Sequence, residues 1–154
     1  MRKKIGVTLA VLVAVALTGT ALATPGAGIT DVVNFVQART TERVHAKSDG
    51  VRLTAKRPVD VFVQTATFQP GSTSGWHSHS GVVLLAVQSG ELTRYDERCR
   101  AGTYAAGEAF VEHGGDSVLV RNEGTEPAVA YITYILPDAS LRRIDEPNPG
   151  CPVE

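Results

Sequence analysis

The reading turns on Gly71-Ser72-Thr73-Ser74-Gly75-Trp76-His77-Ser78-His79-Ser80-Gly81-Val82-Val83-Leu84-Leu85-Ala86-Val87-Gln88-Ser89-Gly90. His77 and His79 stand two residues apart. On a strand, residues two apart project from the same face. Two imidazoles on one face can offer two nitrogens to a single divalent ion. Trp76 has the opposite parity, which sends its indole to the other side of the same strand, away from any ligand. Val82 to Val87 is apolar at both parities. A strand with one wet face alternates, so both faces of this one are expected to be covered. Another sheet, the N-terminal segment or a second subunit would serve as the outer cover, and a homodimer is therefore an expected partner state.

Outward from this stretch, short strands and turns recur about every ten residues. Val59, Val61 and Val63 alternate with Asp60 and Gln64 in a strand over 59–68, and Gln69-Pro70-Gly71 reads as a turn. Weaker strands are expected around Val32–Val36 and over Val51–Thr54. Further strands are expected over 91–95, 102–104, 109–112, 118–121 and 128–136, with Ser89-Gly90, His113-Gly114-Gly115 and Glu123-Gly124 as turns. Thr24 to Gly28 reads as loose chain, and His45 lies in a polar stretch, Thr41 to Gly50, as a solvated residue. No helical periodicity intervenes, so the expected class is all-β, a sandwich or barrel.

The quoted stretch resembles the first motif of the cupin superfamily: Gly, five residues, His-x-His, three residues, Glu, six residues, Gly. Gly71, His77, His79 and Gly90 are in register, and Val83 stands at the Glu position. The family's second motif is Gly, five residues, Pro-x-Gly, two residues, His, three residues, Asn. Gly107, Gly115 and Asn122 match it, with His113 at the Pro position and Val118 at the His position. The resemblance covers about residues 59–137 and implies a cupin-type jelly-roll barrel. With the composition of its two ends, the chain is expected to divide into a leader (1–23), an N-terminal segment with edge strands (24–58), the barrel (59–137) and a tail (138–154). The resemblance also implies that His77, His79, Val83 and Val118 converge on one pocket.

Family members with a full set hold a divalent metal through the two His, the Glu and the second-motif His. Here the resemblance leaves only His77 and His79, since Val83 and Val118 have no lone pair to offer. A zinc, iron or manganese ion on two imidazoles would be weakly held. Asp116, two residues before Val118, or His113 in the adjoining turn, with Glu112 preceding it, are the residues that could extend the set. His77, His79 and Asp116 would make a two-His-one-carboxylate arrangement, which suits non-haem iron.

Other chemistries are excluded by context. Gly71-Ser72-Thr73-Ser74-Gly75 has Thr where a nucleophile elbow needs Ser, and it leads into a strand. No glycine loop followed by Lys-Ser/Thr is present for phosphate. Three function classes remain: a small-molecule-binding barrel, a metal-dependent oxygenase or isomerase with a reduced ligand set, and a non-catalytic structural or dimerisation module.

The ends of the chain carry the expectations about compartment and charge. Arg2, Lys3 and Lys4 precede an apolar run from Ile5 to Leu17 and a small-x-small site, Ala21-Leu22-Ala23. That is the layout of a cleaved secretory leader, and the run is short for a membrane span of about 20 residues. Without those three bases, Lys plus Arg falls from 15 to 12 against 16 Asp plus Glu. The mildly acidic balance and the lack of a basic cluster argue against nucleic acid as a partner. Two cysteines in an exported chain favour a disulfide, and Cys99–Cys151 would staple the Pro-rich tail to the body. The first prediction follows from the leader: mass spectrometry of the exported protein finds Thr24 as its N-terminus. An intact chain in the membrane fraction would refute it.

Overall fold

The computed structural model describes residues 23–154, which form twelve β-strands and no helix. All but one residue of the expected leader therefore lie outside the described residues. In chain order the strands are β1 (Ala27–Arg39), β2 (Val44–Ser48), β3 (Val51–Ala55), β4 (Val59–Thr73), β5 (His77–Ser78), β6 (Val82–Ser89), β7 (Glu91–Asp96), β8 (Ala101–Ala105), β9 (Ala109–Glu112), β10 (Val118–Arg121), β11 (Ala128–Pro137) and β12 (Ile144–Asp145). Ten of them make one antiparallel sheet that curls into a nearly closed barrel, with neighbours in the order β12-β5-β10-β4-β11-β6-β9; β1 lies against β4, and β7 joins β10 to β8. This is the all-β jelly roll expected of a cupin.

Several local expectations change. Residues 69–71 are not a free turn, because β4 runs through them. Gly71, at a φ of 75°, bends the strand while its N–H bonds to the Asn122 carbonyl at 2.9 Å. Only glycine takes that conformation cheaply. The loose N-terminal segment is ordered from Ala27 onward by pairing with β4. The polar stretch around His45 is the first strand of a β2–β3 hairpin, which forms a separate two-stranded sheet. Its residues remain exposed, apart from half-buried Val44 and Ala55.

Alternation sorts the barrel sheet into two faces. Ala66, Phe68, Val83, Leu85, Val87, Leu92, Phe110, Val120 and Ile132 point inward and form the main core. The outward residues fall in transverse rows set by strand register. One row is Val33, Thr65, Tyr131, Ala86 and Ala109. The next is Val36, Val63, Thr133, Leu84 and Val111. The third is Ala38, Val61, Ile135 and Val82. No residue in these rows carries a charge. Strand β6 thus buries one parity and leaves Val82 and Leu84 exposed within the protomer.

A second, smaller core lies outside the barrel. Trp76 is fully buried there with Leu119, Cys151, Tyr95 and Val153, on the opposite side of the strand from His77, as parity requires. Its backbone N–H bonds to Thr24 Oγ1 at 2.7 Å and its indole N–H to the Val153 carbonyl at 3.3 Å. Gly75 beside it has a φ of 67°, and any Cβ there would collide with the Thr24 carbonyl. The Cys99–Cys151 disulfide closes this core and fixes the tail across it. Asn122, in register with the motif asparagine, is a structural clamp: its side chain donates to the Phe68 and Glu126 carbonyls and accepts from the Gly124 N–H.

The disulfide spans 52 residues of chain, a separation for which cross-linking contributes about 2–4 kcal/mol. The Cys99→Ser, Cys151→Ser protein is therefore expected to unfold at lower urea concentration by that margin. An unchanged midpoint would show that the tail holds without its staple.

Candidate functional site

The site is built on β5, a strand of only two residues. It is held between β10, through the pair Val118–His77, and β12, through the pairs Ser78–Ile144 and His77–Asp145. His77 and His79 both turn into the barrel, with ring centroids 4.8 Å apart and the planes near perpendicular. Both are almost fully buried. Ser78, between them, faces the tail and donates to Glu146 Oε1 at 2.8 Å.

The third member is Glu112, at the end of β9 and 2 % exposed. Ligand atoms of His77, His79 and Glu112 lie within 4.8 Å of one another. Glu112 is the register partner of Val83. Directly opposed residues of an antiparallel pair share a face, so the carboxylate enters the barrel from the strand beside the one where the motif would place it.

Hydrogen bonds set the tautomers. A carbonyl oxygen only accepts, so His77 Nδ1 donates to the Gly75 carbonyl at 2.9 Å, and His79 Nδ1 donates to the Arg142 carbonyl. Both Nε2 atoms are left to face inward. His79 Nε2 stands 2.9 Å from Glu112 Oε2, and Glu112 Oε1 is buried with no partner. A lone pair against a carboxylate is repulsive unless a proton or a cation lies between them. The inward nitrogens and the orphaned oxygen therefore fit a divalent ion: two imidazoles and one carboxylate, with open positions toward the cavity. The Nδ1 bonds to backbone carbonyls are the outer-shell support that such ligands require.

The site opens on a cavity of about 180 Å³. Ala66, Phe68, Leu85, Val120 and Ile132 make its apolar wall, and His77, His79, Glu112, Gln64, Tyr134 and Arg143 its polar side. Burial, reinforced by the Glu112 charge, pushes the Tyr134 phenol up to about 12. Its oxygen accepts from Gln64 Nε2 at 3.1 Å, which leaves its own proton free to donate inward. Arg143 is anchored by the Ser74 carbonyl at 2.8 Å and by Asp145 at 2.6 Å.

Some residues singled out in the sequence lie elsewhere. Val83 and Val118 are fully buried but do not line the cavity; Leu85 and Val120, one pleat further along the same strand faces, do. Asp116 and His113 are exposed and line a separate surface cleft with Arg94, Asp96, Arg98 and Arg100. The parity argument for Asp116 fails because β10 begins only at Val118; residues 113–116 are a turn, tied to the site by the Gly115 N–H on the His79 carbonyl. Gln64, Tyr134 and Arg143 were not singled out as site residues, and Glu112 entered only as the residue preceding His113. The signal for Glu112 was its shared parity with apolar Phe110 in Ala109-Phe110-Val111-Glu112.

The structure is an antiparallel barrel whose inner wall carries a buried His-His-carboxylate donor set of the kind that can hold a metal ion. Residues 64–134 match the cupin domain model. None of the curated proteins compared with it matches. Among solved structures it is similar to a cupin-like protein from Thermotoga maritima, with 17 % identity over 57 % of this chain and 65 % of that one and a TM-score of 0.51. It is also similar to an uncharacterized protein with a double-stranded β-helix domain from Klebsiella pneumoniae, with 19 % identity, 69 % and 86 % coverage and a TM-score of 0.50. A structure of DMSP lyases matches with 16 % identity and a TM-score of 0.50, over 56 % of this chain and 44 % of that one.

Burial holds the His77 imidazole down at about 4, against a smaller upward pull from Glu112. Unfolded, the same ring takes up its proton near 6.5. Between those values the unfolded chain binds more protons, so stability falls as pH falls. Metal-free protein is expected to lose about 3 kcal/mol from this group by pH 4. Urea titrations of wild type and His77→Asn at pH 7 and 4.5 measure it; the same pH dependence in both would assign the loss elsewhere.

Proposed function

We propose that the protein is an exported, metal-dependent cupin that acts on a small organic anion held in its barrel. The observation that carries this reading is the convergence of His77, His79 and Glu112 with one carboxylate oxygen orphaned in the interior. A divalent ion there would supply Lewis-acid polarisation of an oxygen on the ligand. Zinc, iron(II) and manganese all accept this donor set, and two His plus one carboxylate with open positions suits iron(II) best.

The chain's own residues supply the rest. Two neutral imidazoles and one carboxylate leave a divalent ion with a net positive charge, and Arg143 adds a cation whose charge Asp145 offsets. One negative charge on the ligand balances the pocket. The apolar wall excludes water and limits the ligand to a small body that fits about 180 Å³. Tyr134 keeps its proton through the physiological range and is placed to hydrogen-bond a ligand oxygen. Export is supported by the basic start, apolar run and Ala21-Leu22-Ala23 site, and by a disulfide of the kind that persists in oxidising compartments.

Calorimetric titration with zinc, iron(II) and manganese tests the reading. Wild type is expected to bind at least one of them. His77→Ala and Glu112→Gln should each weaken that binding at least 100-fold, while Asp116→Ala stays within about twofold. Absence of binding to all three ions would remove the metal reading. Loss in Asp116→Ala, with Glu112→Gln unaffected, would move the carboxylate ligand to the turn.

A further inference from the structure

The arm formed by β2 and β3 carries no part of the metal site. It is a two-stranded sheet of its own and shares no ladder with the barrel. Its turn is Asp49-Gly50, at φ of 38° and 84°, the positive pair that a tight hairpin turn requires. Register sorts its side chains into two faces. Val44, Ala46, Val51, Leu53 and Ala55 share one, and His45, Lys47, Arg52 and Thr54 share the other. Val51 is 72 % exposed and Leu53 45 %. An isolated hairpin is marginal in water and needs a surface to lie on.

Charge is divided as unevenly as polarity. Residues 40–58 hold five bases, Arg43, Lys47, Arg52, Lys56 and Arg57, against two acids, Glu42 and Asp49. The rest of the chain beyond the expected leader holds seven bases against fourteen acids. Read along the chain, the five bases are spread out; the hairpin folds them together. Lys47 stands directly opposite Arg52, and like charges so placed destabilise a ladder. Among the described residues none of the five is ion-paired. At the root of the arm, Arg43, His45, Thr54 and Lys56 line a cleft of about 400 Å³ with no acid in its wall.

We infer that the β2–β3 arm is a docking element for an anionic lipid bilayer, with lipid phosphate seated in the basic cleft at its root. Charge complementarity selects an anionic surface, because opposed cations without partners are costly until an anion lies between them. The exposed apolar face selects a bilayer among anionic surfaces. A soluble polyanion would neutralise Lys47 and Arg52 and leave Val51 and Leu53 in water. An apolar protein patch would cover those two and leave the cations opposed. The boundary between headgroups and acyl chains takes both at once. Each strand of the hairpin has a free edge, so the long Lys47 and Arg52 side chains can reach around it to headgroups while the apolar face points at the acyl chains. The same edges set the depth: their unpaired N–H and C=O groups keep the arm at the polar boundary and out of the hydrocarbon. The rest of the chain, with its excess of acids, is repelled by the same surface, which leaves the arm as the point of contact.

Flotation of the mature, disulfide-bonded protein with lipid vesicles tests this. Vesicles of phosphatidylglycerol and phosphatidylcholine in equal parts should carry the protein, and vesicles of phosphatidylcholine alone should not. Binding should fall steeply as salt is raised. Lys47→Glu turns the opposed pair into a cross-strand ion pair, so the thermal midpoint should hold or rise while vesicle binding weakens at least about fivefold. Val51→Ser with Leu53→Ser should weaken it at least about threefold at unchanged net charge. No binding to the mixed vesicles would overturn the inference. Binding that Lys47→Glu leaves intact would also overturn it and place the contact on another face. Binding that survives the Val51 and Leu53 changes would overturn the bilayer as the occupant and leave a soluble polyanion, for which titration with polyphosphate is the direct measurement.

Discussion

Everything in the site depends on holding two residues of strand in place. β5 is His77 and Ser78, too short to order itself, yet it carries one ligand and sets the position of the next. Its order is borrowed from both sides. β10 pairs with it from within the barrel and β12 from the tail. Below it Trp76 acts as an anchor. Burying an indole removes about 200 Å² from water, worth at most about 5 kcal/mol. That anchoring is available only because the tail lies across the ring, and the tail lies there because Cys151 is bonded to Cys99. The same tail supplies the Arg142 carbonyl that fixes the His79 tautomer. The disulfide, far from the ligands in sequence, is thus part of what aims them.

The barrel's fold was legible in the sequence because turn spacing and alternation are local. Glycines at 71, 90, 107 and 115 all adopt positive φ, so their spacing recorded bends that other residues resist. Trp76 on the outside and the histidines inside followed from parity alone. The carboxylate was not legible in the same way. A motif fixes positions along one strand, whereas Val83 and Glu112 meet only across a strand pair. That meeting depends on the register of β6 with β9, which no local pattern states. The hairpin over 44–55 was missed for a related reason: its two strands carry a basic face and an apolar face, and read along the chain the charges dominate.

Relocating the carboxylate has an energetic consequence. A buried carboxylate oxygen with no donor is among the more expensive groups a core can hold, because it loses its hydration and gains nothing in return. Glu112 Oε1 is such a group, and its charge adds to the burial that holds the Tyr134 phenol at about 12. An apolar residue at 112 would be more stable in isolation. The arrangement is coherent if a cation completes it, since one ion satisfies the orphaned oxygen, separates Oε2 from His79 Nε2 and uses the free nitrogen of His77.

The same strands serve two surfaces through period-two alternation. On β9, Glu112 faces the cavity while Val111 faces outward; on β6, Leu85 lines the cavity while Leu84 lies open; on β11, Tyr134 turns in and Tyr131 turns out. A slip of one residue in any of these registers would exchange the faces. It would expel the carboxylate and the phenol from the barrel and bury the uncharged rows in their place. Burying those rows would cost little in itself, since their side chains are apolar or hydroxylic. What selects the observed register is the inner set as a whole: it keeps Leu85, Phe110 and Ile132 in the core and brings Tyr134 to Gln64. The site therefore contributes to specifying the fold that positions it.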